Sequence, residues 1–237
     1  MQINKNLKFI IFCFIVFLSF DSHTDDGFSI SAVIETPQVE INGNADDPAI
    51  WFNEEDPSLS IVFGTDKYNG VYSYNLFGDV IGFSKSGSMN NIDLRTLNDN
   101  TYIFTTDSSN NTVNVWVYKN SYLHNKSKEG SFALDKIPHH TSKVNFLAYG
   151  LCGGLSKKDE VIIFVTEAKG PGVQLWKFDD LKLSLLNTFN NSNAYESEGC
   201  VFDDENQKFF ISEENKKGVI RSYSCLLYTS PSPRDSN

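Results

Sequence analysis

The chain has 237 residues, 40% of them hydrophobic and 14% aromatic, and a formal net charge of −10. That apolar content excludes a disordered chain, and the acidic balance excludes a nucleic-acid partner, which needs a basic face. It also repels a small anionic substrate unless bound cations reverse the local field.

The length suits one domain of ordinary size or a piece of a larger one. Nineteen Phe and ten Tyr, with frequent Val and Ile, favour strands over helices. At the N-terminus Lys5 and Lys8 precede residues 9–20, which are apolar except for Ser19. The run is short for a membrane span and has the charged-then-apolar order of a secretory signal. We expect a signal peptide over residues 1–25, cleaved between Ser19 and Asp25, with an uncleaved anchor as the alternative. The product is then secreted or periplasmic and has no stable membrane association. Cys13 leaves with the signal and Cys225 falls in the last segment, which leaves Cys152 and Cys200. An exported pair is free to form a disulfide. Two small buried hydrophobes are the equal alternative, because sequence does not give the Cα separation.

Residues 29–39 read as an edge strand or extended lead-in that carries Glu35. In Ala45-Asp46-Asp47-Pro48 the proline biases Asp47 towards an extended conformation. An extended backbone sends Asp46 and Asp47 to different sides, so they need not share a role. A pattern then repeats. Strand-like residues 60–64 lead through a polar hairpin, 65–70, to a second run, 71–74. The same order recurs at 101–105, 106–111 and 112–118, at 161–165, 166–172 and 173–178, and at 208–211, 212–218 and 219–223. The spacing, roughly 40 to 60 residues, fits one four-stranded blade of a β-propeller. A β-sandwich is the competing all-β reading, but its hairpins do not resemble one another. Residues 179–186 read as a turn and strand, and no sustained helical periodicity appears. From Cys225 the pattern stops, and Pro231 and Pro233 exclude a central strand. Residues 225–237 resemble translated sequencing-adapter read-through and are expected to be a foreign tail.

The motifs Asn44-Ala45-Asp46-Asp47-Pro48-Ala49-Ile50-Trp51, Gly64-Thr65-Asp66-Lys67, Gly70-Val71-Tyr72, Met89-Asn90-Asn91-Ile92-Asp93-Leu94-Arg95, Tyr149-Gly150-Leu151-Cys152 and Ser197-Glu198-Gly199-Cys200-Val201 occur in this order. Asp203-Asp204-Glu205 and Ser212-Glu213-Glu214 follow. Together they resemble the β-propeller phytases, over nearly everything from Glu35 to Tyr223. The resemblance implies an all-β, six-bladed propeller, of which residues 26–224 supply about four blades. It implies several Ca²⁺ ions and calcium-dependent hydrolysis of the phosphate monoesters of phytate by metal-activated water, of the 3-phytase type. A monomer is expected, and activity is expected of the whole domain rather than of a truncated one.

Hard cations prefer oxygen ligands, and the chain offers Asp and Glu rather than His or Cys clusters. None of its four His stands in an Arg-His-Gly context, and Cys152 lacks the arginine of a cysteine-phosphatase loop. Metal-assisted hydrolysis is the remaining phosphatase chemistry. Carried over position by position, Glu35, Asp46, Asp47, Glu198 and Glu213 match the family's calcium-site carboxylates, with Asp46, Glu198 and Glu213 assigned to catalysis. Asp47 is assigned alternatively to a structural ion with the backbone around Asn91. Lys67, Lys169 and Tyr149 match phosphate-binding residues. Ser108 departs from the pattern, standing where the family often has arginine, which removes a bidentate phosphate donor. A non-catalytic propeller binding module and a lactonase-type calcium hydrolase are the alternatives, the second leaving Lys67 and Lys169 unexplained.

Overall fold

The computed structural model describes residues 30–39, 43–179, 181–192, 194–214 and 218–224. The expected signal peptide and the tail from residue 225 lie outside them. The chain divides into two compact units, Met1–Val33 and Ile34–Asn237. Of the first, residues 30–33 are described; they are exposed and form no strand or helix. The second contains every element that follows.

Four antiparallel sheets succeed one another along the chain, each a meander whose strands lie in sequence order. The first holds β1 (Ala45–Trp51), β2 (Ile61–Asp66), β3 (Gly70–Tyr74) and β4 (Val80–Ser84). The second holds β5 (Met89–Leu97), β6 (Asn100–Asp107), β7 (Thr112–Lys119) and β8 (His140–Lys143). The third holds β9 (Ala148–Leu155), β10 (Val161–Glu167), β11 (Gly172–Asp179) and β12 (Lys182–Asn190). The fourth has three described strands, β13 (Ser197–Asp203), β14 (Lys208–Glu213) and β15 (Ile220–Ser224). The first strands pack on each other in series, β1 on β5, β5 on β9 and β9 on β13. These are propeller blades, with the first strand of each innermost. The fold is all-β, as the repeat predicts; the repeated hairpin forms the middle of each of the first three blades and is β14–β15 in the fourth.

In the second and third blades, which have a neighbour on each side, the middle strands β6, β7, β10 and β11 are buried on both faces, whereas β14 and β15 of the fourth alternate. Between the first two blades lie Trp51, Phe63, Val71, Ile92, Ile103 and Trp116. Phe104, Val115, Ile163, Trp176 and Phe178 fill the next interface. In the last, Phe164 stacks on Phe209 at 4.1 Å, beside Phe202 and Ile211. Each such side chain contributes about 1.5–3 kcal/mol on burial, so the adhesion between blades is chiefly apolar.

A helix, α1 (Asn120–Lys128), interrupts the second blade between β7 and β8. Its sequence has no apolar stripe and buries only Leu123, so periodicity could not reveal it. The connection is a strap onto the first blade. Ser127 Oγ donates to the Leu59 carbonyl at 2.6 Å, and the Phe132 N–H donates to the Ile81 carbonyl at 3.0 Å. Phe132 and Leu134 then enter the first inter-blade core.

Close packing of the inner strands places a steric demand on β9. A Cβ on Gly154 would stand 2.2 Å from the Phe202 ring of the next blade. Gly154→Ala is therefore expected to destabilise the fold by about 1–3 kcal/mol through overpacking. Denaturant unfolding checks this, with a lowered midpoint and an unchanged m-value as the result.

Candidate functional site

All four inner strands carry the same irregularity near their first residue. Two residues of the inner strand face one of its neighbour: Asp46-Asp47 face Thr65, Asn90-Asn91 face Thr106, Tyr149-Gly150 face Thr166, and Glu198-Gly199 face Ser212. Such bulges re-aim side chains and break the ladder locally. Here they place Asp46, Asn90, Tyr149 and Glu198 at one end of the blades, where the β2–β3 hairpin brings Lys67.

The Lys67 ammonium is the centre of the cluster. It lies 3.1 Å from Asp46 Oδ1 and 3.5 Å from Glu198 Oε1, and 5.5 Å from the centroid of the Tyr149 ring. Partial burial works against its charge, yet the Asp46 and Glu198 carboxylates hold its pKa above the ordinary lysine value. Asn90 Nδ2 reaches Glu198 Oε1 at 3.4 Å and Asn91 Oδ1 at 2.7 Å. The Tyr149 hydroxyl donates to Glu214 Oε2 at 2.9 Å. Burial, together with the Glu214 and Glu198 carboxylates, pushes the Tyr149 phenol well above its usual pKa and keeps it a neutral donor.

Asp47 points elsewhere, as the extended backbone predicts. Its carboxylate accepts the Ile92 N–H at 2.9 Å and lines a cavity of about 250 Å³ with Asn91, Asp93, Arg95, Cys152 and Cys200. Burial raises its pKa to about 6, against the Ile92 and Asn91 hydrogen bonds that favour the charge, with Asp46 and Asp93 adding repulsion. Beyond it, the Arg95 guanidinium donates to Asp93 Oδ1 at 3.1 Å and Asp204 Oδ2 at 3.0 Å, tying β5 to the fourth blade. The open question of the cysteines resolves as a bridge: Cys152 and Cys200 form a disulfide between β9 and β13, with Cα atoms 5.7 Å apart.

A phytase family model matches residues 11–225. The chain belongs to the phytase family. Over 69 residues it is 39% identical to the 3-phytase of Bacillus subtilis (strain 168), a match that takes in 29% of this chain and 18% of that protein. The match thus spans less than a fifth of that relative's length. Among solved structures, the WD40 domain of Toxoplasma gondii coronin aligns with a TM-score of 0.48 and 8% identity, over 78% of this chain and 46% of that one. A Bacteroides fragilis protein, proposed to be a 6-phosphogluconolactonase, aligns with a TM-score of 0.45 and 10% identity, over 74% of this chain and 66% of that one.

Of the residues the phytase resemblance singles out, the structure joins Asp46, Lys67, Tyr149 and Glu198 in one cluster and sets Asp47 and Asn91 together beside it. It does not bring Glu35 there. Glu35 is exposed on the lead-in, and its carbonyl packs against Gly78 in the β3–β4 turn, at the other end of the first blade from Asp46. Lys169 stands in the β10–β11 hairpin with φ of 60°, and no hydrogen bond or ion pair among the described residues joins it to the cluster. The Ser108 N–H turns back to the Ser88 carbonyl at 3.1 Å, and its hydroxyl does so at 3.4 Å.

Glu213 is turned into its own hairpin, where its carboxylate pairs with Arg221 of β15. The adjacent Glu214 reaches Tyr149 instead. Aligning the repeats shows why: Thr65-Asp66-Lys67, Thr106-Asp107-Ser108, Thr166-Glu167-Ala168 and Ser212-Glu213-Glu214 occupy equivalent positions. The middle carboxylate holds the hairpin in every copy. Asp66 accepts the Asn44 and Tyr68 N–H groups, Asp107 those of Ser109 and Asn110, and Glu167 that of Gly172. The third position is the one that faces the cluster, as Lys67 and Glu214 do. Asn90, which the sequence offers only for its carbonyl beside Asn91, holds in β5 the bulge position of Asp46.

The donor set suits a hard cation in kind: it is all oxygen, and the Lys67 ammonium already marks the gap between two carboxylates as favourable to positive charge. Among the described residues no three carboxylate, His or Cys side chains are gathered closely enough to enclose a metal by themselves. A calcium ion takes six to eight oxygens, more than Asp46, Glu198 and Glu214 offer by themselves.

Proposed function

We propose that this chain carries part of the active site of a calcium-dependent phytase, which hydrolyses phosphate monoesters of phytate. The observation that carries this reading is the Lys67 ammonium between Asp46 and Glu198, with Tyr149 and Glu214 alongside. An acidic protein of net charge −10 needs such local positive charge to receive a polyanion. Lys67 binds phosphoryl oxygen as a point charge. The Tyr149 phenol, kept protonated, would turn its single proton from Glu214 to that oxygen when substrate binds. Asn90 fixes the direction of the Glu198 carboxylate.

Asp46, Glu198 and Glu214 are the residues that would hold calcium beside the substrate, and Asp47 with Asn91 those that would hold an ion in the adjoining cavity. Bound calcium would lower the pKa of a water and neutralise charge developing on the phosphoryl oxygens. We place the protein outside the cytoplasm, a setting in which the Cys152–Cys200 bridge persists.

Phosphate release from phytate by the whole propeller domain in millimolar calcium is the test. The expected result is turnover that ceases on exhaustive chelation with EGTA and returns with calcium. Turnover that survives chelation would sink the metal requirement, and absence of phosphate release at any calcium concentration would sink the phytase reading.

A further inference from the structure

The residues facing the four bulges have a feature that neither the family nor the cluster accounts for: every one bears a hydroxyl. Thr65, Thr106 and Thr166 are fully buried; the contacts of Thr65 and Thr106 repeat from blade to blade, and Thr166 keeps the donating half of the pattern, one residue earlier on the next blade. Thr65 Oγ1 accepts the Asp47 N–H of its own blade at 2.9 Å and donates to the Asn90 carbonyl of the next at 2.9 Å. Thr106 Oγ1 accepts the Asn91 N–H at 3.3 Å and donates to the Tyr149 carbonyl at 2.6 Å. Thr166 Oγ1 donates to the Ser197 carbonyl, beside Glu198.

A bulge leaves ladder groups unpaired, and a buried carbonyl or N–H without a partner costs about 1–3 kcal/mol. The threonines satisfy these groups, and they do so across blades. A hydroxyl has one proton and accepting lone pairs, so a single side chain can take an N–H from one bulge and serve a carbonyl of the next. The bulge of each blade is thereby set against its neighbour's at the residues that carry the site: Asp46-Asp47, Asn90-Asn91, Tyr149 and Glu198. Gly150 makes the approach possible, since a Cβ there would lie 2.1 Å from the Glu198 carbonyl and 2.7 Å from Thr166 Oγ1. In the fourth blade the device changes, because Ser212 Oγ donates to Gly199 within its own sheet at 3.1 Å.

We propose that Thr65, Thr106 and Thr166 are positioning residues for the site, a hydroxyl relay that holds the four bulges in mutual register and so sets the spacing of Asp46, Asn90, Tyr149 and Glu198. Thr106 is its central member, joining Asn91 to Tyr149. The functional half of this inference rests on the phytase reading, whereas the register itself does not.

The test compares T106V, T106S and T105V in the whole propeller domain. Valine keeps the shape and removes the hydroxyl, and serine restores it. Thr105 is a buried neighbour whose hydroxyl, among the described residues, donates to the Met89 sulfur at 3.1 Å and to no bulge. T106V is expected to lower kcat for phosphate release from phytate roughly ten- to a hundredfold, with KM within about threefold. T106S should return kcat to within about threefold of wild type, and T105V should leave it unchanged. Amide hydrogen exchange should quicken in T106V over both 89–97 and 148–155, and in neither segment in T105V. Unaltered exchange over 148–155 in T106V overturns the relay, and so does a T106S as impaired as T106V. Wild-type kcat in T106V reduces Thr106 to a structural contact and overturns its positioning role. A wild-type chain without phytase activity would fail the functional reading instead, and the exchange comparison would still decide the relay.

Discussion

Reducing the Cys152–Cys200 bridge is expected to destabilise the protein by about 4 kcal/mol. The bridge closes a loop of 48 residues, and the entropy such a loop loses in the unfolded chain corresponds to that value. For a chain of this size it lowers the unfolding midpoint on the order of 10 °C. Thermal unfolding with and without a phosphine reductant measures it, and the Cys152→Ala, Cys200→Ala double variant should match the reduced wild type. An unchanged midpoint would mean the cysteines are two buried thiols. The effect should reach the site as well. Cys200 follows Glu198 by two residues on β13, and Cys152 follows Tyr149 by three on β9, so the bridge clamps the two inner strands next to residues that must face each other. Activity per folded molecule is expected to fall on reduction, more steeply than in Gly154→Ala, which disturbs the same strand pair further from the cluster.

What could be read from sequence follows the burial of each strand. Ile61-Val62-Phe63, Tyr102-Ile103-Phe104, Ile162-Ile163-Phe164 and Phe209-Phe210-Ile211 are unbroken apolar runs, of which those of β6 and β10 lie between two sheets, and their hairpins declare the repeat. The inner strands were harder to see, because each begins in a bulge filled with Asp, Asn, Tyr or Glu and alternates only afterwards. β8 (His140–Lys143) is an outer strand without an apolar residue, and α1 has a single buried side chain. Within the site, Asp46, Lys67, Tyr149 and Glu198 were legible because each stands in a distinctive local motif. Glu213 and Glu214 are neighbours of one chemical type, and only strand direction separates the one that pairs with Arg221 from the one that faces Tyr149. The position of Glu35 depends on the path of a lead-in that forms no ladder among the described residues. The disulfide depends on the distance between two blades, which no local pattern encodes.

Replacing Lys67 by methionine should move calcium binding and substrate binding in opposite directions. The ammonium lies within 3.5 Å of both Asp46 and Glu198, so before substrate arrives it occupies electrostatically the gap that a divalent cation would enter. Removing it leaves two facing carboxylates with no neutralising charge, a stronger attractor for calcium. The side chains are only partly buried, and solvent screening limits each contact to the order of 1 kcal/mol. Calcium affinity in the absence of substrate is therefore expected to rise about ten- to thirtyfold in Lys67→Met. On the proposed phytase reading the same change removes a cation that would face the substrate phosphate, and KM for phytate is expected to rise by a similar or larger factor. Methionine preserves the length and apolar stem of lysine, so packing against the Tyr149 ring is retained and the fold should not be at issue. Calorimetric titration with calcium and steady-state phosphate release separate the two effects. Weaker calcium binding in the variant would show that Lys67 organises the carboxylates for the ion rather than competing with it. An unchanged KM would remove Lys67 from the substrate site and leave it a bridge between the first and fourth blades, joining Asp46 on β1 to Glu198 on β13.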